Sequence, residues 1–209
     1  MNITVLGGTG RTGRLLVDEL LSRGHALTLL GRDPAKAAAA SDQVTLVAGD
    51  TRDRDAVARA VAGADVVVSA LGPVGKDTTL LRDTAGILIP AMSTAGVSRY
   101  VGISVAGLDL PGDRKRGRDK IISWLLNRLG GELAQDKILE HAAWETSPLE
   151  WTLVRVPRLV DGPAGPVEHD PHRSGRRTSL TRASLARFLA DATENATAYP
   201  RQAPFVADK

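Results

Sequence analysis

Three glycines spaced three apart, Gly7, Gly10 and Gly13, follow the apolar run Thr4-Val5-Leu6 and precede an amphipathic segment. A strand, a tight turn and a helix start are expected in that order, and the arrangement suits a diphosphate. The first amides of a helix lack intrahelical partners, and the aligned peptide dipoles place partial positive charge there. Gly7 permits the turn, Gly10 leaves room for phosphates, and Gly13 lets the helix approach its strand. A glycine-rich structural turn with no ligand is the plainer reading. Context favours the ligand. Leu16, Val17, Leu20 and Leu21 share one helix face, Gly24 ends that helix, and a second strand, Ala26–Leu30, completes a βαβ unit. The unit fits within the roughly thirty residues that a dinucleotide fingerprint spans.

The end of the second strand bears on which dinucleotide is expected. An NAD-binding chain usually places a carboxylate there to accept from the ribose 2′-hydroxyl. Here Gly31-Arg32 stand in that place, and Asp33, before Pro34, reads as the cap of a following helix. A guanidinium facing a 2′-phosphate makes short, charge-assisted bonds, and Arg11, inside the glycine turn, is near enough in sequence to join it. The expected coenzyme is therefore NADP(H). An exposed arginine at a helix start is the alternative for Arg32.

Other constellations carry less. Ser104, Asp109 and His141 are the residue types of a hydrolase triad, but Ser104 lies between Ile103 and Val105 without the flanking glycines of a nucleophile elbow. Glu168, His169, Asp170 and His172 could be taken for metal ligands. Pro171 interrupts them and no helix places two on one face, so no metal is expected. His141 is assigned to the surface. The three tryptophans, Trp124, Trp144 and Trp151, read as core or interface. With no cysteine, disulfides and thiolate chemistry are excluded. The formal net charge is +3, with basic residues crowded at Arg114, Lys115, Arg116, Arg118 and Lys120 and again at Arg173, Arg176 and Arg177. Only 3% of residues are aromatic, too few to interleave with these cations as a nucleic-acid surface would, so a solvated loop is the reading preferred to nucleic-acid binding. No apolar run reaches the roughly 18 residues of a membrane span. The chain enters its first strand without a leader-like segment. These features lead to the expectation of a soluble cytoplasmic protein, monomer or homodimer, acting on a small molecule.

The elements that must hold the glycine turn alternate along the chain. Strands are expected at Val44–Ala48, Asp65–Ala70, Arg99–Ser104 and Trp151–Val156, the last closed by Pro157. Helices are expected after Asp53 (an N-cap for Val57 and Val61), over Thr79–Ala95 with Pro90 inside and Gly96 as C-cap, and over Ile121–Leu129. A further helix is expected over Glu132–Thr146, with Ile138, Leu139, Ala142 and Ala143 inward, and another from Thr181 with Leu185, Phe188, Leu189 and Ala192 inward. Residues 161–177 read as an irregular substrate-side excursion, and Ala203–Ala207 as an edge strand. Apolar strands separated by helices call for an α/β fold, a doubly wound parallel sheet of Rossmann type covered on both faces, occupying residues 1–209 as one domain. Ligands of such sheets bind beyond the carboxyl ends of the strands. The segments to watch are therefore Gly7–Gly13, Gly31-Arg32, Asp50-Thr51, Ala70–Pro73, Ser104–Gly107 and Pro157–Leu159.

With these residues assembled, the sequence resembles the NAD(P)H-binding atypical short-chain dehydrogenase/reductases, nearest in pattern to the NmrA-like proteins and the biliverdin-IXβ/flavin reductase group. The resemblance rests on Gly7-Gly8-Thr9-Gly10-Arg11-Thr12-Gly13, Leu29–Lys36, Ala48-Gly49-Asp50-Thr51, Ser69-Ala70-Leu71-Gly72, Gly96–Val101 and Glu150–Leu159. It implies that Thr9, Gly10, Arg11, Thr12 and Gly13 hold the pyrophosphate, that Arg32 holds the 2′-phosphate, and that Asp50 and Thr51 border the adenine. It further implies that Ala70, Leu71 and Gly72 line the path to the nicotinamide ribose, that Ser104 faces the nicotinamide, and that Pro157 and Leu159 flank the carboxamide. Arg158 stands where the flavin reductase group often has histidine. Many members of the superfamily protonate substrate with a Tyr-x-x-x-Lys pair, the lysine tuning the tyrosine. Here Tyr100 and Tyr199 are followed four residues later by Ser104 and Ala203, and Lys137 is preceded four residues earlier by Leu133. Alcohol–ketone chemistry is therefore not expected. Two readings remain: a reductase passing hydride to a conjugated acceptor such as a flavin or quinone, with Ser104 positioning the nicotinamide or the acceptor, and a non-catalytic NADP(H) sensor that reports to a protein partner.

Overall fold

Strand β1 (Asn2–Leu6) lies between two parallel neighbours, β2 (Ala26–Gly31) and β4 (Val66–Ser69), and all its residues but Asn2 are buried. This is a computed structural model, and it describes residues 1–33, 36, 42–72, 77–117 and 131–209. Outward from β2 lies β3 (Val44–Ala48), and outward from β4 lie β5 (Arg99–Val105) and β6 (Glu150–Val156), all parallel. With β7 (Arg158–Val160), β8 (Val167–Asp170), β9 (Ser179–Thr181) and β10 (Phe205–Asp208) following in the chain, the main sheet runs β3-β2-β1-β4-β5-β6-β10-β8. Strand order reverses between β1 and β4, and that reversal opens the crevice in which doubly wound sheets take ligands.

The helices divide between the faces. Helices α1 (Arg11–Ser22) and α5 (Arg182–Glu194) pack together on one side; α2 (Arg54–Val61), α3 (Leu80–Ala95) and α4 (Gly131–Thr146) cover the other. Alternation along the strands matches this division. Val66 and Val68 of β4 join Leu16, Val17 and Leu189 in one apolar cluster, while Val67 joins Val57, Leu88 and Trp144 in the second. Fully burying a valine or leucine contributes about 1.5–3 kcal/mol, and a one-residue slip would send each of these side chains to the wrong layer. The sheet register is fixed by that penalty.

Helix ends follow local chemistry in most places. Asp53 accepts from the backbone N–H of Asp55 and Ala56, Thr181 accepts from Ser184, and Gly96 closes α3 in the left-handed conformation at φ 74°. Asp53→Ala should lower unfolding stability by about 1 kcal/mol, the usual worth of such a cap; a thermal or urea melt would read it. Helix α3 begins differently. Its Leu81 and Arg82 amides donate to the carboxylate of Asp136, a buried residue of α4 that lies 54 or more positions away in the chain.

Several expectations need correction. Residues 161–177 are not wholly irregular: β8 lies within them and pairs antiparallel with β10, so the sheet is mostly rather than entirely parallel. Consequently β10, expected at an edge, sits between β6 and β8. Arg158–Val160 and Ser179–Thr181 make a separate two-stranded ribbon that no periodicity announced. In α4 the expected inner face fails. Ile138 and Leu139 are exposed, and Asp136, Lys137, Glu140, His141 and Trp144 are buried instead. Those polar groups find partners in the sheet and in α3, which the apolar-stripe argument does not anticipate. The expected helix at 121–129, and Pro34, Pro73, Arg118, Lys120, Trp124 and Gly130, lie outside the described residues.

Candidate nucleotide-binding site

The turn after β1 is built as its glycines require. Gly7 has φ +73°, and a methyl group there would lie 2.8 Å from the Leu71 nitrogen of the neighbouring β4 loop. Gly13, on the first turn of α1, is packed so closely that a Cβ would sit 2.0 Å from the Gly7 carbonyl oxygen. At Gly10, which borders the cleft, a Cβ would press on the Gly7 carbonyl oxygen at 3.3 Å, a tight contact with backbone. The N-cap of α1 is Gly10, which has no side chain to cap the helix amides, and no acidic residue lies in the first turn. The turn is therefore a concave wall of backbone around a positive helix end, with the shape and polarity to receive a phosphate group.

Around it lies a cleft of about 290 Å³, bordered by Gly7, Thr9, Gly10, Leu30, Gly31, Arg32, Gly49, Asp50, Thr51, Ala70, Leu71, Gly72, Asp77 and Leu80. Nine of the residues singled out from sequence meet there: Gly7, Thr9, Gly10, Arg32, Asp50, Thr51, Ala70, Leu71 and Gly72. Arg32 follows β2 directly, is exposed, and makes no ion pair among the described residues. Thr51 is buried with its hydroxyl 2.8 Å from that of Thr84, and Asp50 accepts from the Arg52 backbone N–H. The remaining candidates surround this wall without bordering the cleft. Arg11 is exposed at the head of α1, while Thr12 and Gly13 are buried beneath the turn. Leu159 packs on the same apolar cluster as Ala70 and Ile103, and Pro157 follows β6 half-buried.

Ser104 lies near the end of β5, fully buried, with a hydroxyl that has no hydrogen-bond partner among the described residues. A buried hydroxyl left unpaired is costly, so this atom is a candidate for a partner beyond the described residues, such as a bound ligand. Beside it, Lys137 of α4 donates to the Ile103 carbonyl at 2.9 Å and pairs with Glu140 at 2.9 Å. Burial raises Glu140 above the ordinary carboxylate range, the nearby Lys137 charge opposing that shift. The Tyr-x-x-x-Lys criterion sets Lys137 aside, because Leu133 stands four residues before it. The available signal was the i,i+3 spacing of Lys137 and Glu140, which suits an ion pair on one helix face.

Neither tyrosine borders the cleft. Tyr100 stacks on Trp144 with ring centroids 3.8 Å apart, lies over Gly102 and is buried, which drives its phenol far above its ordinary range. Tyr199 pairs with His169 beside α5, and burial raises its pKa also. The hydrolase-like trio does not assemble. His141 is buried, contrary to its expected surface position, and burial lowers its pKa. It borders a separate cavity with Asp113, Trp151 and Arg155. The histidine-rich loop is occupied with its own structure, since Asp170 accepts from the His172 and Arg173 amides. Among the described residues no cluster of three or more metal-ligating side chains occurs, and no helix is long and apolar enough to cross a membrane.

A doubly wound sheet with a glycine turn at its first crossover defines the class of Rossmann-type NAD(P)-binding proteins. Comparison with known proteins agrees: residues 7–196 match the NAD(P)H-binding family model, and the chain belongs to that family. An isoflavone reductase homolog from Zea mays is 44% identical over 117 residues, covering 52% of this chain and 36% of the relative. A 3-diazoavenalumate denitrifying reductase from a Streptomyces species is 37% identical over 123 residues, covering 51% and 38%. The chain thus spans little more than a third of the length of these two relatives. A short-chain dehydrogenase/reductase from Veillonella parvula in complex with NADP superposes with a TM-score of 0.81 at 20% identity, covering 99% of this chain and 94% of that one. An anaerobillin reductase from Escherichia coli O157:H7 superposes at 0.79 and 20% identity, covering 100% and 97%. At that identity the likeness speaks to the fold.

Proposed function

We propose that the protein is an NADP(H)-dependent reductase that passes hydride to a conjugated acceptor, such as a flavin or quinone, without a tyrosine proton donor. The observation that carries this reading is Arg32. It borders the cleft at the end of β2, where a carboxylate would select NAD(H), and no acidic side chain among the described residues engages it. The glycine wall fits a pyrophosphate because its backbone is bare where a Cβ would intrude. The reduced nicotinamide supplies the hydride when bound; the protein supplies orientation and electrostatics. In this reading the α1 amides and Thr9 hold the pyrophosphate, Asp50 and Thr51 border the adenine, and Ala70–Gly72 line the approach to the second ribose. Ser104 offers its unpaired hydroxyl to the nicotinamide or the acceptor, with Pro157 and Leu159 beyond it. Solvent supplies the proton, because conjugated acceptors spread charge and need no acid held against one oxygen.

Titration of NADPH and NADH against wild type and Arg32→Ala tests the assignment. A charge-assisted hydrogen bond is worth roughly 1.5–3 kcal/mol, so Arg32→Ala should weaken NADPH by about ten-fold or more and leave NADH nearly unchanged. Equal NADPH affinity in the two proteins would end the assignment to NADP(H). NADPH oxidation with flavin and quinone acceptors tests the chemistry, with turnover near or above ~1 s⁻¹ expected of an enzyme. Tight NADPH binding with no turnover on any acceptor would favour the redox-sensor reading, which the absence of both tyrosines from the cleft lining also accommodates.

A further inference from the structure

Two carboxylates stand on the lining of a cleft proposed to receive an anion. Asp50 follows β3, and Asp77 precedes α3; of the described residues around the cleft, Arg32 is the cation that faces them. One arginine against two carboxylates is an unfavourable balance for a coenzyme carrying several negative charges. Arg52, behind this wall, changes the balance. Its guanidinium donates to both oxygens of Asp77 at 2.7 and 2.6 Å, and its Nε lies 3.3 Å from Asp83 Oδ2, an ion-pair distance although it is not aimed as a hydrogen bond. Its backbone N–H donates to Asp50 Oδ1 at 2.9 Å. One residue thus ties the β3–α2 turn to the start of α3 and holds three carboxylates around a single cation.

We propose that Arg52 is a positioning residue and a coenzyme-specificity determinant: it neutralises the Asp50–Asp77 wall so that an anionic dinucleotide, NADPH more than NADH, is admitted. This rests on the reading of the cleft as a dinucleotide site. Asp77 is fixed independently of Arg52, because it also accepts from the Thr79 backbone N–H at 3.1 Å. Removing the guanidinium therefore leaves the charge in the wall. The Arg52 hydrogen bond also holds the Asp77 carboxyl below its usual range, so it remains ionised at neutral pH. A carboxylate within about 8 Å of a phosphate, one Debye length at physiological ionic strength, opposes binding. NADPH brings one more phosphate than NADH to the Arg32 end of the same cleft, so it feels the imbalance more.

The test is a fluorescence titration of NADPH and NADH against wild type, Arg52→Gln, Arg52→Lys, Asp77→Asn and the double variant Arg52→Gln/Asp77→Asn, each at low and high salt, with a thermal melt of each. Arg52→Gln should raise the NADPH dissociation constant about five-fold and that for NADH by less, as expected for one unscreened charge at the wall. The double variant should recover most of the loss, Arg52→Lys part of it, and the deficit should shrink as salt is raised. A purely structural arginine would show neither the rescue nor the salt repair. Unchanged NADPH affinity in Arg52→Gln overturns the assignment, as does a loss that the double variant fails to repair, which would make Arg52 a direct contact or a loop brace. Wild type binding neither nucleotide overturns the dinucleotide reading together with this one, whereas wild type binding with Arg52→Gln unaffected overturns this one alone.

Discussion

Gly13→Ala should cost about 3 kcal/mol of stability and most of the affinity for a dinucleotide, although it adds a single methyl group. The added carbon would lie 2.0 Å from the Gly7 carbonyl oxygen and 2.8 Å from Gly7 C and Gly8 Cα. All three are backbone atoms of the turn itself, so no rotamer change relieves the overlap. Overpacking with flexible neighbours typically costs about 1–3 kcal/mol, and a rigid neighbour places this site at the top of that range. Either α1 must lift from β1, opening the cluster that holds Leu16, Val17 and Leu20, or the Gly7–Gly8 turn must move into the cleft it borders. The first outcome appears in a thermal melt as a fall of roughly 6–12 °C for a chain of this length. The second appears as lost NADPH binding in the protein that remains folded. Gly86→Ala is the matched control. Gly86 lies mid-helix, is exposed, and a Cβ there meets nothing within 4 Å. That substitution should stabilise by about 0.5–1 kcal/mol through helix propensity alone.

The same glycines explain why so much of the site could be read from sequence. A strand, a turn and a helix joined within thirteen residues leave little to tertiary context, and continuous apolar runs such as Val66-Val67-Val68 called for helices on both faces of the sheet. The segments after each parallel strand then met at the crossover for topological reasons, which brought Arg32, Asp50, Thr51 and Ala70–Gly72 to the same cleft as Gly7, Thr9 and Gly10. What escaped was governed by long-range polar contacts. The inner face of α4 carries Asp136, Lys137, Glu140 and His141 because an amide pair of α3 and a carbonyl of β5 await two of them. Hydrophobic spacing alone places Ile138 and Leu139 inward, whereas both are exposed. Likewise β8 contains Glu168, His169 and Asp170, poor strand formers that the ladder to β10 overrides. The Arg52–Asp77 bridge was unreadable for the same reason, linking residues 25 positions apart across a loop.

Arg155→Met should be the most destabilising side-chain truncation among the polar residues, by about 3–5 kcal/mol, the usual cost of removing one partner from a buried ion pair. Arg155 is 1% exposed, and all five of its N–H groups are used. Nε donates to Ala203 O at 2.6 Å, the two terminal nitrogens clasp Asp113 at 2.5 and 2.9 Å, and the same nitrogens reach Leu108 O at 3.2 Å and Pro171 O at 3.0 Å. The cation also lies 3.7 Å from the Phe205 ring centroid. One side chain on β6 thus holds the loop after β5, the entry to β10 and the loop after β8, none of which has an apolar stripe to hold it. In Arg155→Met the thioether fills much of the volume, but Asp113 loses its bidentate partner and keeps only the weaker attraction of the Lys115 ammonium. Among the described residues its carboxylate keeps one hydrogen bond, from the Leu110 amide. Arg155→Met/Asp113→Leu removes that charge as well and should recover part of the loss, since exchanging a whole buried pair for apolar groups is often close to neutral. Recovery should stop short of wild type. Leu108 O keeps the Lys115 ammonium as a partner at 2.8 Å, whereas Ala203 O and Pro171 O lose the Arg155 donors. A double-mutant cycle on urea midpoints separates the two contributions. Additive losses for the single variants, with no coupling, would show that the clasp is not what fixes these three segments.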